Sequence, residues 1–410
     1  MQYNSRDWRG RWTSTLWGDA TGYYIYLPGL TQHGFKASSV PDTLAEYAGH
    51  GFTLDHQRDR LVTKYTYGTA LLQLPFYLFA EAVEGFGATS AWTPTHHRAI
   101  EVAGVFYWTF GMLLLGQAIH RRWSPTVGAL VLTLCCVAFG TNVFYYAFRS
   151  PGYSHIYSFF LVALALHVIW GLRGGPWSIA RTAVLALICG AIIVTRVIDV
   201  LLVMALLGLL MIERPELFRS LRFYLFMASG MFLIVIPQLA YWRFVHGQWL
   251  YYTYGNEGFS NAAHPYVIEV LIAPKNGLLP YAPVLFLVPF GFAALWPVAR
   301  KITALIAVTF ALAILGFASW FAWHFGCGYG MRPFVQFVPL AAVPLLALFG
   351  WLKVHAKPVY HGLLPLVLIA CFVNYRSMLQ YDACYNNTAW EWMPFWRNLI
   401  WAFFGKMDIS

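Results

Sequence analysis

What most constrains this chain is a series of long apolar runs, each about as long as a bilayer is thick, separated by short links rich in arginine and lysine. A helix crossing the hydrocarbon needs about 20 apolar residues. By that measure, runs at 101–120, 126–147, 153–172, 222–243, 279–298, 302–322, 333–352 and 358–375 read as spans. The stretch 181–213 has both ends in basic links, so it reads as two short spans, 181–195 and 198–213, that turn near Thr195-Arg196-Val197-Ile198-Asp199. One long tilted helix is the alternative. The expectation is an all-α polytopic membrane protein of about ten transmembrane helices.

The links alternate in character. One set carries Arg121, Arg122, Arg173, Arg181, Arg214, Arg219, Arg222, Arg300, Lys301, Lys353 and Lys357, with Glu213 and Glu216 as its acids. Cytoplasmic loops carry such a basic excess, so this set reads as cytoplasmic. The other set, 1–100, 148–152, 244–278, 323–332 and the tail from 376, then faces outward. Three regions follow: an outer segment 1–100, a helical body 101–375 that includes the outer loop 244–278, and a tail 376–410. In the first, 67–86 is apolar but carries Gln73, Pro75, Glu81 and Glu84, so it reads as an interfacial amphipathic helix. The tail, with Trp390, Trp392, Phe395, Trp396 and Trp401, reads as another.

Charged residues make up 11% of the chain and hydrophobic ones 59%. The net charge of +10 is spread over short loops rather than gathered on one face, which argues against nucleic-acid binding. The six cysteines show no metal spacing and lie mostly in apolar runs, so neither a disulfide framework nor a zinc site is expected. Residues 1–17 are polar and give no sign of a cleavable signal peptide. Asn386-Asn387-Thr388 matches the N-glycosylation pattern, a weak signal in a tail of this kind.

Polar groups recur at the outer ends of the spans: Asp19, Lys64, Arg149, His155, Arg196, Asp199, Glu257, Lys275, His324 and Arg332. A carboxylate among several cations suits a reaction in which a phosphate leaves and a hydroxyl or amine attacks, the cations neutralising the leaving group and the carboxylate taking the proton. Taken singly, each reads equally as a solvated or paired loop charge, and Arg196 with Asp199 as a structural intramembrane pair. Asp19 stands out because Gly18 and Gly22 permit tight turns around it, with Tyr23 and Tyr24 beside it. The glycine-rich 323–332 follows no strand and matches no nucleotide loop. A divalent ion is compatible with the site but not indicated, so no cofactor is expected.

In their order along the chain, these motifs resemble those of the GT-C membrane glycosyltransferases, especially bacterial relatives of the dolichyl-phosphate-mannose protein mannosyltransferases. Gly18-Asp19 with Tyr23-Tyr24 is similar to the acidic motif of that family's first outer loop. Lys64-Tyr65-Thr66-Tyr67-Gly68 resembles the start of its interfacial helix, and Thr195-Arg196 its break between two short helices. Tyr254-Gly255-Asn256-Glu257-Gly258-Phe259 with Asn276-Gly277-Leu278-Leu279 resembles a long outer loop, and Gly328-Tyr329-Gly330-Met331-Arg332-Pro333 a glycine-rich arginine motif. The resemblance implies inverting transfer of a sugar from a polyprenyl-phosphate donor to a glycan, lipid or protein acceptor on the periplasmic side of a bacterial inner membrane. Asp19 would be the base, Lys64, Arg196, Lys275 and Arg332 would hold the donor, and Tyr23, Arg149, His155, Asp199, Glu257 and His324 would be of second rank. Two departures stand out: Ala20 follows Asp19 where the family often has Glu, and only eighteen residues precede Asp19 where the family has a first span. A partner helix, a larger complex or an upstream segment is expected to supply that span. The alternatives from other classes are a transporter or flippase for lipid-linked sugars and a non-catalytic membrane subunit.

Overall fold

A computed structural model describes residues 15–171, 177–381 and 388–405; Arg173, Cys384, Asn386 and Asn387 lie outside them. The chain is mainly helical. Among the described residues five helical segments are long and apolar enough to cross a membrane: Pro94–Trp123, Leu221–His246, Pro283–Ser319, Arg332–His355 and Lys357–Gln380. Shorter apolar helices run over Val127–Phe139, His155–Trp170, Ile179–Thr195 and Val200–Glu213. In Leu221–His246, 17% of the most apolar stretch is buried, and Leu221, Phe232 and Leu233 are open. An apolar face of that size without a protein partner needs a bilayer as its solvent.

Several boundaries differ from the sequence reading, each for a local reason. The Pro94–Trp123 helix starts seven residues before the expected 101, because Thr93 caps it by accepting from His96 N–H and Pro94 opens its first turn. The run expected at 126–147 divides into Val127–Phe139 and Val143–Phe148. Gly140 lies at the break, where a Cβ would sit 2.3 Å from Val284 Cγ1. The 279–298 and 302–322 runs join in one helical segment that breaks at Ala299, whose φ and ψ are −149° and 58°. The expected turn at Thr195–Asp199 is present. Ile179–Thr195 ends at Arg196 in extended conformation, and a 3-10 turn, Val197–Asp199, leads into Val200–Glu213.

The N-terminal segment from residue 15 is folded. Gly18 at φ +60° turns the chain into the short helix Asp19–Tyr24. A two-stranded hairpin, β1 (Thr53–Asp55) with β2 (Arg60–Val62), follows in antiparallel register, Leu54 opposite Leu61, and is the exception to an all-α description. Tyr24 and Leu27 pack with Ala70, Tyr77, Ile100, Tyr241 and Val245, which ties this segment to the helical body.

The Gly68–Glu84 helix forms as expected, but its polar residues do not make a water face. Gln73 is buried and donates to the Tyr157 hydroxyl (3.1 Å). Glu81 is buried against His96 Nε2 (3.0 Å) and accepts from Gln32 (3.0 Å) and Gly87 N–H (2.9 Å). Glu81 is thereby satisfied inside the protein, as a buried polar group usually is, while the Gln73 Oε1 is buried without a hydrogen-bond partner. The start of this helix touches the end of Ile179–Thr195 so closely that a Cβ on Gly68 would lie 2.4 Å from Thr195 N. Because that neighbour is backbone, Gly68→Ala is expected to cost about 1–3 kcal/mol, read as a lower thermal midpoint in detergent.

The tail helix, Met393–Phe404, packs on Lys357–Gln380. The cysteines correct one expectation. Cys135, Cys136, Cys189 and Cys371 are free, but Cys327 is held in a disulfide.

Candidate functional site

Five separate stretches bring charge to one cavity of about 540 Å3: the Asp19–Tyr24 helix, Lys64-Tyr65-Thr66, the Thr195–Val200 break, the 251–259 loop with Glu257 and the loop that ends at Arg332. Asp19 sits in the first turn of its helix. The tight packing behind it explains the glycines: a Cβ on Gly22 would fall 2.3 Å from the Tyr65 ring and 2.4 Å from the Gly51 carbonyl oxygen. Glycine at 22 therefore lets Tyr65 reach over the helix, and its hydroxyl donates to Asp19 Oδ1 (2.5 Å). Across the cavity, Arg332 Nη2 donates to Asp19 Oδ2 (2.8 Å). Arg332 opens the 3-10 turn Arg332–Phe337, which fixes the guanidinium at the end of a buried element. It also lies over the Tyr153 ring, 5.2 Å from its centroid.

The other charges are likewise engaged. Lys64 Nζ pairs with Glu257 Oε1 (2.6 Å) and lies 5.6 Å from the ring centroids of both Tyr65 and Tyr254. Thr253 donates to the Lys64 carbonyl (2.5 Å), and Tyr252 donates to the Glu257 carbonyl, so the 251–259 loop is stitched to the cavity rim. Arg196 Nη1 donates to Ser154 Oγ (3.3 Å) and lies 3.2–3.3 Å from both His155 ring nitrogens. Its Nε is buried without a hydrogen-bond partner and is 3.9 Å from Asp199 Oδ1. Ser154 in turn donates to the Tyr23 hydroxyl (3.2 Å).

Asp19 is a third exposed, and that surface lines the cavity. Burial pushes its carboxyl up, but the Arg332 charge, the Tyr65 hydrogen bond and Lys64 outweigh it and hold the group below its ordinary 3.8. The sign follows: Asp19 stays charged as pH falls past the ordinary range and loses its charge only at its own lower value. Its contribution to stability is present above the unfolded value and is lost as pH falls through the folded one. Tyr65→Phe removes one of these lowering influences. We therefore expect the acid limb of any pH profile that depends on charged Asp19 to move to higher pH, measured as activity against pH.

Of the sequence-derived candidates, Asp19, Tyr23, Lys64, His155, Arg196, Glu257 and Arg332 line this one cavity. Four others do not. Asp199 lies behind the wall, where it accepts from Ser158 (2.6 Å) and Gln336 (2.9 Å). Arg149 is exposed at the end of Val143–Phe148. Lys275 is half-buried beside His324, whose imidazole is held below its ordinary value by burial, Lys275 and Arg332. His324 Nδ1 accepts from Gly326 N–H (3.1 Å) and caps its own loop. The sequence reading missed the direct role of Tyr65 and the bridge made by Gln336, which donates to Asp199 and lies 3.3 Å from His155 Nδ1. Adjacency to Lys64 was the available signal for Tyr65; Gln336, in an apolar run, gave only its polarity.

The remaining wall is aromatic and apolar. Tyr65 packs on Tyr23 with centroids 4.4 Å apart; Tyr254, Trp320 and Phe259 continue the series at 5.3–6.4 Å. Val197, Val200 and Phe321 line the cavity and are also exposed on the protein surface, so the cavity grades from charged to apolar. Among the described residues no group of three or more His, Cys, Asp or Glu is placed to hold a metal. The arrangement can receive an anion on its cations and a proton on Asp19. No protein-family model, curated protein or solved structure matches the chain.

Proposed function

We propose that the protein is a glycosyltransferase that moves a sugar from a polyprenyl-phosphate donor to an acceptor in this cavity. The observation that carries the reading is the convergence of Asp19 with Lys64, Arg196 and Arg332 in a cavity also lined by the surface-exposed apolar residues Val197, Val200 and Phe321. A lipid-linked phosphosugar has that polarity: an anionic group to neutralise, a pyranose that stacks on rings such as Tyr254 and Trp320, and a tail that stays in lipid. Asp19 accepts the proton of the acceptor hydroxyl as the oxygen attacks C1 of the sugar, and the cations stabilise the phosphate that leaves. Direct attack from the opposite face inverts the anomeric centre. Lys275 does not line the cavity and is left out of donor binding, while its neighbour Asn276 ties down the loop by donating to the His324 and Gly326 carbonyls.

The disulfide at Cys327 supports placing this face outside the cytoplasm, since disulfides persist in oxidising compartments. It agrees with the distribution of Arg and Lys among the links. The test is reconstitution in liposomes with polyprenyl-phosphate-[14C]hexose on one side. The reading predicts labelled acceptor and equimolar free polyprenyl phosphate; intact donor recovered from the other leaflet, with no label transferred, would instead identify a flippase.

A further inference from the structure

Every cation on the cavity wall already has an acidic neighbour: Lys64 has Glu257 at 2.6 Å, Arg332 has Asp19 at 2.8 Å and Arg196 has Asp199 at 3.9 Å. Lys64 and Arg332 are hydrogen-bonded to their carboxylates, so a phosphate arriving at the Asp19 end of the cavity competes with a carboxylate for the nearest cation. We propose, resting on the phosphate-donor reading, that Arg332 exchanges partners, pairing with Asp19 in the empty cavity and with the phosphate in the product state, so that phosphate binding and protonation of Asp19 are coupled.

The geometry singles out this pair. Arg332 holds Oδ2 of Asp19 while Tyr65 holds Oδ1, so losing the arginine leaves the carboxyl oriented by Tyr65, with one oxygen open to an acceptor. The guanidinium is planar and forked, suited to a phosphate or a carboxylate alike. The charged and titratable groups facing Asp19 are Arg332, Lys64, Tyr65, Tyr23, Tyr153 and Tyr254; with Arg332 turned away, the one cation left among them is Lys64.

The exchange balances the chemistry. The acceptor O–H bond breaks and its proton goes to Asp19, while the acceptor oxygen bonds to C1 of the sugar. The bond from C1 to the phosphate oxygen breaks, and its electron pair stays on the phosphate. A monoanionic phosphodiester becomes a dianionic phosphomonoester as Asp19 becomes neutral. One negative charge thus passes from Asp19 to the phosphate, and Arg332 follows it. Coupling of this kind is reciprocal: if phosphate favours protonated Asp19, then removing the Asp19 charge favours phosphate.

The test is equilibrium binding to the full chain in nanodiscs, with undecaprenyl phosphate and, separately, inorganic phosphate as probes. At neutral pH Asp19→Asn should bind undecaprenyl phosphate about tenfold more tightly than wild type, an advantage that shrinks as pH falls and wild-type Asp19 takes up its proton. Asp19→Ala should behave in the same way. Calorimetry in the acid range, where the Asp19 carboxyl titrates, should show more proton uptake on binding by the wild type than by Asp19→Asn, the difference cancelling the protons of the phosphate itself. Equal or weaker binding by both variants, or no such difference in proton uptake, overturns the exchange; if lipid phosphate still binds, the donor reading stands without it. Coupling seen with inorganic phosphate but no binding of the lipid phosphate keeps the exchange and removes the lipid donor. Absence of binding by either probe overturns both.

Discussion

On the proposed glycosyltransferase reading, Asp19→Asn, folded and inserted normally, should transfer sugar about 10²- to 10⁴-fold more slowly than wild type, the range associated with loss of a positioned base. The amide keeps the size of the side chain and can still accept from Tyr65, so the substitution removes charge and basicity while disturbing little else. The loss should fall on kcat, because the proton is taken only as the acceptor attacks. Turnover of the purified variant at saturating donor and acceptor, with a thermal midpoint near that of wild type, checks this. An unchanged kcat would exclude Asp19 as the base.

Arg332→Gln has the second large effect, and it acts in two ways. It removes the cation from a leaving phosphate, and it leaves Asp19 with the Tyr65 hydroxyl and the more distant Lys64. Removing one partner of a fully buried ion pair costs about 3–5 kcal/mol. Here the side chains are 15% and 33% exposed, so we expect a smaller cost of about 2 kcal/mol. Transfer should fall at least about 10²-fold, as on loss of one stabilising group at a developing negative charge. The double variant Asp19→Asn with Arg332→Gln should recover much of the stability, because no carboxylate is then left short of its partner, while remaining inactive. Thermal midpoints of the two single variants and the double variant form the cycle that tests this.

The sequence made the helical body legible because span length and basic links are one-dimensional signals. It also pointed to the turn at Arg196, since a single crossing could not return the chain to the same side. What it could not give was the direction of individual side chains. Asp199 and Arg196 are three residues apart, yet one lies behind the cavity wall, drawn back by Ser158 and Gln336, and the other lines the cavity. Lys275 and Arg332 both occupy loop ends, and only contacts made across the fold separate them. Glu81 and Gln73 looked like the wet side of an interfacial helix because their partners, His96 and Tyr157, lie far along the chain. The glycines were more informative: Gly18 takes the positive φ its turn requires, and Gly22 gives the space that brings Tyr65 to Asp19. The disulfide at Cys327 was missed because cysteine spacing alone carries no signal for a single bond.

The most direct measurement of the central claim is a cryo-electron microscopy map of the protein in nanodiscs containing undecaprenyl phosphate. The predicted map shows phosphate density within hydrogen-bonding reach of Arg332, close to Lys64 and Arg196, with the polyprenyl chain leaving past Val197, Val200 and Phe321. A map in which Arg332 remains paired with Asp19, the cavity holds no phosphate and the lipid is ordered elsewhere would contradict it.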